Sequence, residues 1–437
     1  MERIFSPRSH VEQLLRFEAA LARAQARAGV IPNDAATTIA AKCDVELFDT
    51  AAIIHDAALT GTPVVPLLRQ LLAQLPNDAR AYLHVGATSQ DASDTALVLQ
   101  MRDGLDALAT DLRGACAVAA QLAERHRRSV MPGRTFLQHA VPITFGLKAA
   151  RWLGAVTRQL RTLESVRRDM LVLQFGGAGG TLAAIAPNGL AVAELLAEEL
   201  NLTLPDMPWH AERDRPASVA CALGVTAGVL GKIATDVVLL SQTEVAEVAE
   251  GLTEGKGTSS SMPQKRNPID AVQAVAASRL AVGIVPVVLV AMAQEHERGA
   301  GGWQTEWQAI PDLFRHTSRA AQHVRAALSA LDVDPERMRA NLGIAGGMLM
   351  AESLVVALAS SIARPEAQQV VAELTGSAIR NRVSLLDAAR ADKRVTAVLS
   401  SQALEKALDP AAYLGSSDAL IDRALKAWRD YGAQAAR

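Results

Sequence analysis

The chain has 437 residues, half of them hydrophobic and 3% aromatic, with a formal net charge of −2. That length accommodates roughly two to four domains with ample core. The mixed, near-neutral charge argues against a polyanion partner such as nucleic acid.

The first sixteen residues, MERIFSPRSHVEQLLR, carry charges throughout and lack an apolar signal core, so a soluble, cytoplasmic protein is expected. Cys43, Cys116 and Cys221 are far apart and without metal spacing, which reads as buried thiols in a reducing compartment. Alanine and leucine dominate, and these favour helix over strand. A first long helix is predicted from Ser93 to about Val130, with Asp91 and Asp94 suited to its start and Leu97, Met101, Leu105, Leu108 and Leu112 at helical spacing. Pro142 is placed as the opening residue of a second, reaching about Leu173. A third runs from about Pro216 to Glu250. A fourth starts at Asn267-Pro268 as cap and first residue, and reaches about Glu297 with Pro286 kinking it. Such segments are about 45 Å long, and helices that long and apolar on several faces belong inside a bundle, often an oligomeric one. The most apolar stretches, 217–231 and 280–294, run about fifteen residues between charges, short of a membrane span. Shorter helices flank the bundle. The expected division is 1–92, an N-terminal helical domain; 93–342, the long-helix bundle; and 343–437, a C-terminal helical domain.

Several motifs mislead. GGAGGT at 176–181 looks like a phosphate loop but follows a helical pattern, and its glycine spacing is wrong for a dinucleotide fingerprint. GLTEGKGTS from Gly251 misses the Walker spacing by one residue and lacks a preceding strand. QEHER at 294–298, read as helical, does not converge on a metal, and no metal site is expected. Trp303 and Trp307, four residues apart, read as helix packing.

The stretch GKGTSSSMPQKRNP, residues 255–268, joins a glycine-serine loop to a capped helix start. Its second half resembles the signature G-S-S-x-M-P-x-K-x-N-P of the fumarase/aspartase superfamily. Ser259, Ser260, Met262, Pro263, Lys265, Asn267 and Pro268 fill the pattern, and Thr258 replaces the leading glycine. GATSQD at 86–91 and GRTFLQHAVPITFG at 133–146 resemble the superfamily's other two blocks, in its order and spacing. Within the superfamily the likeness is greatest to the 3-carboxy-cis,cis-muconate cycloisomerases, through HVGATSQDASDTALVLQMR, PWHAERDR and QEHERGAGGWQTEWQ among others. The resemblance implies an all-α, three-domain fumarase/aspartase-like fold whose long bundle forms a tetramer core. It also implies active sites shared between subunits, a di- or tricarboxylate substrate, no cofactor and no membrane.

The superfamily's chemistry moves a proton next to a carboxylate and adds or expels a group at the neighbouring carbon. The enediolate intermediate needs a base and a cradle of fixed donors. By resemblance Ser259 is the base, its alkoxide stabilised by Lys256, Lys265 and loop N–H groups in a site closed to water. Lys265 and Asn267 bind a carboxylate, Asn267 beside a helix N-terminus that favours anions. Ser260, Thr88, Ser89 and Gln138 contact the substrate's other polar groups, although Thr88 and Ser89 also fit simple helix capping. Arg298 matches an arginine of the muconate enzymes and suits a third carboxylate, the alternative being an ion pair with Glu295 or Glu297. His84 and Arg213 lie in family-like blocks with less definite roles. The lyases carry Thr-His where this chain has Thr135-Phe136, and Phe136, read as part of an apolar wall, moves no proton. A carboxylate leaving group, of pKa about 4, needs none. His139 can still donate a proton or orient substrate.

The implied activity is interconversion of 3-carboxy-cis,cis-muconate and carboxymuconolactone, in the breakdown of aromatic acids. The alternative enzyme is a β-elimination lyase on a succinate-like acid, expelling nitrite or sulfite. A silent helical scaffold is the reading of a different class, and the intact 259–267 block argues against it.

Overall fold

The computed structural model describes residues 1–251, 262 and 265–435. Helices dominate, eighteen of them α-helices among the described residues. Helix α1 spans Pro7–Arg27, and the short α2 to α5 lie between Asn33 and Arg80. Helix α6 is Ser89–Arg125, followed by strands β1 (Val130–Thr135) and β2 (Gln138–Thr144). Then come α7 (Phe145–Met170), α8 (Gly189–Leu200) and α9 (Asp214–Leu240). Strand β3 (Val248–Glu250), α10 (Ile269–Val290), α11 (Gly302–Ser329) and β4 (Leu331–Val333) precede α12 to α18, which lie between Pro335 and Ala435.

Contacts divide the chain into two compact units: Met1–Asp111, Gln159–Gly231 and Ala276–Gln322 form the first, and Leu112–Arg158, Lys232–Val275 and His323–Arg437 the second. Every boundary falls within one of the five long helices. In the first unit, α1 starts on Ser6, whose hydroxyl accepts the Ser9 N–H at 3.2 Å, with Pro7 in the first turn where its missing N–H is not needed. Leu14, Phe17 and Leu21 of α1 are buried with Leu196 and Leu200 of α8. Each contributes about 1.5–3 kcal/mol relative to exposure. The second unit has its own C-terminal core of Leu354, Leu358, Val370, Leu374, Leu385 and Leu404.

Four sequence expectations need correction. Helix α6 begins at Ser89, one turn earlier than predicted, with Thr88 ahead of it and the Asp91 carboxylate reaching back to the Thr88 N–H. Pro142 does not open a helix: it pairs with Pro132 in the β1–β2 hairpin, and the helix starts after Thr144, whose Oγ1 accepts the Leu147 N–H at 3.1 Å. The third helix ends at Leu240, and Val248–Glu250 is a strand paired with Leu331–Val333. The fourth ends at Val290, so QEHER is not helical, and Gly299, Gly301 and Gly302 separate α10 from α11. Pro286 does lie inside α10, and Leu97, Met101, Leu105, Leu108 and Leu112 are all buried. Trp303 and Trp307 pack edge-to-face, ring centres 4.8 Å apart.

The expectation that no apolar stretch reaches membrane length also fails. Helices α9 and α10 are long and apolar enough to cross a membrane by length and composition. Helix α10 buries a stripe of small residues, Ala271, Ala274, Ser278 and Ala281, while Leu280, Val282, Val287, Leu289 and Val290 are 44–80% exposed on this single chain. In the first unit α9 approaches α10 closely at Gly224, where an added Cβ would stand 2.5 Å from Val285 Cγ2.

Candidate active site

Thr88 and Ser89 sit at the start of α6. Asp91, one turn in, accepts the Thr88 N–H at 3.0 Å while its own N–H bonds the Thr88 carbonyl at 3.0 Å, a reciprocal cap. The Asp91 carboxylate is fully buried and has four more donors. Gly176 and Gly177 N–H groups lie at 2.9 Å, Gln174 Nε2 at 3.3 Å and His210 Nε2 at 2.7 Å. The loop that resembles a phosphate site thus binds the protein's own carboxylate, and Gly177 holds the positive φ (+73°) this requires. No hydrogen bond engages the Thr88 or Ser89 hydroxyl among the described residues, so both remain available beyond their capping backbone.

One turn further along α6, Asp94 receives both Nη groups of Arg213 at 2.7 and 3.0 Å and the Trp303 Nε1–H at 2.9 Å. Glu306 takes the other edge of the guanidinium, which lies 4.8 Å over the Trp209 ring. Burial opposes the Arg213 charge, but Asp94 and Glu306 outweigh it and hold the group above its ordinary pKa. Burial raises Glu306, only partly offset by Arg213. Arg213 is therefore a fully engaged core anchor that fixes α6, and no valence is left for substrate.

Arg298 is exposed but placed. Its Nε donates to Gln90 Oε1 at 2.9 Å and its Nη2 to the Ala178 carbonyl at 3.2 Å, while Gln90 donates to Asp94 and the His210 carbonyl. The ion pair offered as its alternative is not seen. Glu295 accepts the Ala300 N–H at 2.8 Å, and Arg298 has no carboxylate partner among the described residues. The first unit thus gathers Thr88, Ser89 and Arg298 around one helix turn. His84 precedes that turn, with Nδ1 2.7 Å from Glu18 Oε1 on α1.

The second unit carries the other group. Gln138 and His139 open β2, opposite Thr135 and Arg134. Arg134 is locked by a bidentate pair to the buried Glu247, at 2.6 and 2.9 Å. Burial and the Arg134 charge lower the His139 pKa, so its ring favours the neutral form. Phe136 and Leu137 make the two-residue turn, both with positive φ (+49° and +63°), the geometry that fits a tight hairpin but strains side chains other than Gly or Asn. Phe136 is 100% exposed, so within this chain it forms no wall. Lys265 and Asn267 lie just ahead of α10. The first N–H groups of that helix do not await a substrate anion: Glu250 accepts from Asp270 and Ala271 at 3.0 and 2.8 Å. Ser259 and Ser260 lie outside the described residues. Among the described residues no three His, Cys, Asp or Glu side chains converge on a metal position.

Comparison with known proteins decides the family. Residues 1–283 match a family described as lyase, and residues 347–424 match the adenylosuccinate lyase C-terminus. The 3-carboxy-cis,cis-muconate cycloisomerase of Pseudomonas aeruginosa is 46% identical over 97% of this chain and 93% of its own length. The chain belongs to the 3-carboxy-cis,cis-muconate cycloisomerase family of the fumarase/aspartase superfamily. A second family relative, from Bradyrhizobium diazoefficiens, is 45% identical over 96% of this chain and 93% of its own. The crystal structure of the 3-carboxy-cis,cis-muconate lactonizing enzyme from Pseudomonas putida superposes with a TM-score of 0.93 at 40% identity, covering 99% of this chain and 97% of that one. The helical fold is the family's. What the sequence reading missed is the support of the site: His210, Gln90 and Glu18 were not singled out, and Asp91 was read as a cap alone. Their partners lie 66 to 208 residues away, and no local pattern reports such contacts.

Proposed function

We propose that the protein interconverts 3-carboxy-cis,cis-muconate and carboxymuconolactone in the breakdown of aromatic acids. The observation that carries this is the 46% identity, across 97% of the chain, to a relative named for that activity. In the lactonising direction one substrate carboxylate adds to the neighbouring alkene carbon, and a proton arrives next to another carboxylate. In the reverse direction Ser259 removes that proton and the ring carboxylate departs. The carboxylate, of pKa about 4, leaves without a proton, which is why aprotic Phe136 is tolerable. Lys265, Asn267 and Ser260 stabilise the enediolate. Thr88, Ser89, Gln138, His84 and Arg298 bind the remaining carboxyl groups, Arg298 by its planar fork. His139, disposed to be neutral, orients substrate by hydrogen bonding.

The working unit is a cytoplasmic homotetramer with active sites built from several subunits. The exposed apolar side of α10 and the bare Phe136 support this, since both are apolar surface that the single chain leaves uncovered. The test is direct. Purified protein mixed with 3-carboxy-cis,cis-muconate consumes the conjugated diene, and the ultraviolet absorbance falls. Unchanged substrate, together with nitrite or sulfite release from a substituted succinate, overturns the reading in favour of an elimination lyase.

A further inference from the structure

Helix α1 buries two polar side chains two turns apart, Glu18 and Gln25, 1% and 0% exposed. Both reach the segment ahead of α6. Glu18 Oε1 lies 2.7 Å from His84 Nδ1, and Gln25 Nε2 donates to the Val85 carbonyl. Burying a carboxylate is costly unless it is well partnered. Glu18 is nonetheless buried with its second oxygen lacking a hydrogen-bond partner among the described residues. As a mere staple of α1 to a loop, an apolar pair would serve better.

The segment it holds is strained. His84 has φ +59°, a region sparsely populated by residues other than glycine. Two residues on, Gly86 has φ +71°, and a Cβ there would stand 2.6 Å from Ile185 Cγ2. The backbone therefore has little freedom, and the ring is aimed by Glu18. With Nδ1 taken, Nε2 has no hydrogen-bond partner among the described residues. His84 also stands four residues before Thr88.

We infer that Glu18 is a positioning residue of the site: it engages Nδ1 and so fixes the His84 ring with Nε2 presented to a substrate carboxylate. This rests on His84 being a substrate-binding residue, as proposed above. The charged groups facing the ring are Glu18 from α1 and Asp91 from α6. Burial opposes the ring's charge, but these two carboxylates outweigh it and raise its pKa. Cys43 near Glu18 stays neutral, its thiol pushed up to about 12 by burial and then by Glu18. A raised pKa means the cation persists to higher pH than on an ordinary imidazole and is lost as pH rises through the folded value, so substrate binding weakens on the alkaline side.

The experiment is Glu18→Gln, which keeps shape and hydrogen bonding but removes the charge. The His84 ring is titrated by NMR in the absence of substrate, and kcat/KM for 3-carboxy-cis,cis-muconate is followed from about pH 6 to about pH 9. Expected is a shift of about one unit or more towards acid, in both the ring titration and the alkaline limb of kcat/KM, carried mostly by KM. A Glu18 that only staples the fold lowers the melting temperature and leaves the ring titration in place, which overturns the inference whatever the substrate proves to be. A ring that moves while the kcat/KM limb stays put overturns it too. His84→Gln separates the two layers: if it binds substrate as the native protein does, the assignment of His84 to the substrate fails and not the Glu18–His84 coupling.

Discussion

Ser259 and Ser261 stand two residues apart in the sequence and differ in their place within the signature, so they test the chemistry residue by residue. If Ser259 is the base, Ser259→Ala lowers kcat roughly 10²–10⁴-fold with KM little changed, because the lost interaction exists only in the transition state. Ser261→Ala, at a variable position, leaves kcat within about threefold. Equal losses in steady-state assays of the two variants would show that the register of the signature on this sequence is wrong. At this scale the sequence was legible where chemistry is encoded in contiguous letters, as in 259–268. It was illegible where a residue's meaning depends on distant partners. Asp91 could be read as a cap from its neighbours, but its bonds to Gly176, Gly177 and His210 exist only once the chain has folded. Arg298 could be read as an ion-pairing arginine beside two glutamates, yet it turns to Gln90. Arg213 could pass for a substrate ligand and is instead saturated by Asp94 and Glu306.

The long helices were legible from apolar spacing, since Leu97 to Leu112 repeat at the helical period and all are buried. The β1–β2 hairpin was not. Its prolines resemble helix-opening residues, its strands are six and seven residues long, and its turn is Phe136-Leu137 where a sequence reader looks for Asn-Gly. Helix α11 was seen only through its tryptophan pair. Close packing between elements is equally hidden in sequence, and Gly224 makes it testable. A methyl group added there meets Val285 Cγ2 at 2.5 Å. Valine is β-branched and cannot swing away at little cost, so α9 and α10 must separate or Val285 must leave its rotamer. Gly224→Ala is therefore expected to destabilise the protein by about 1–3 kcal/mol. Gly376→Ala is the control. Its nearest neighbour is the flexible end of Arg380 at 3.4 Å, and relief of glycine's helix penalty stabilises by up to about 1 kcal/mol. Denaturant unfolding of the two variants should move in opposite directions, and a neutral Gly224→Ala would mean that the close approach is not maintained in solution.

For the whole molecule, the decisive quantity is apolar surface that one chain cannot cover. Leu280, Val282, Val287, Leu289 and Val290 of α10 are 44–80% exposed, and Phe136 is fully exposed on a strained turn. Clusters of this kind on a lone soluble chain mark an interaction surface. Lipid and further copies of the chain both satisfy apolarity, but Arg279, exposed on the same helix beside Leu280, suits a protein partner better. The proposed tetramer would also bring blocks far apart in sequence into one site, by packing helices of different chains together. Light scattering should then give about four times the 46.2 kDa chain mass without detergent. Placing aspartate at Leu280 and Val287 desolvates a charge wherever that face is buried, so the double variant should dissociate and lose turnover together while keeping its helical circular dichroism. A native protein of monomer mass, or a dissociated variant with full activity, would mean that each chain completes its own site, and Phe136 would then need a wall from within its own chain that the hairpin turn does not provide.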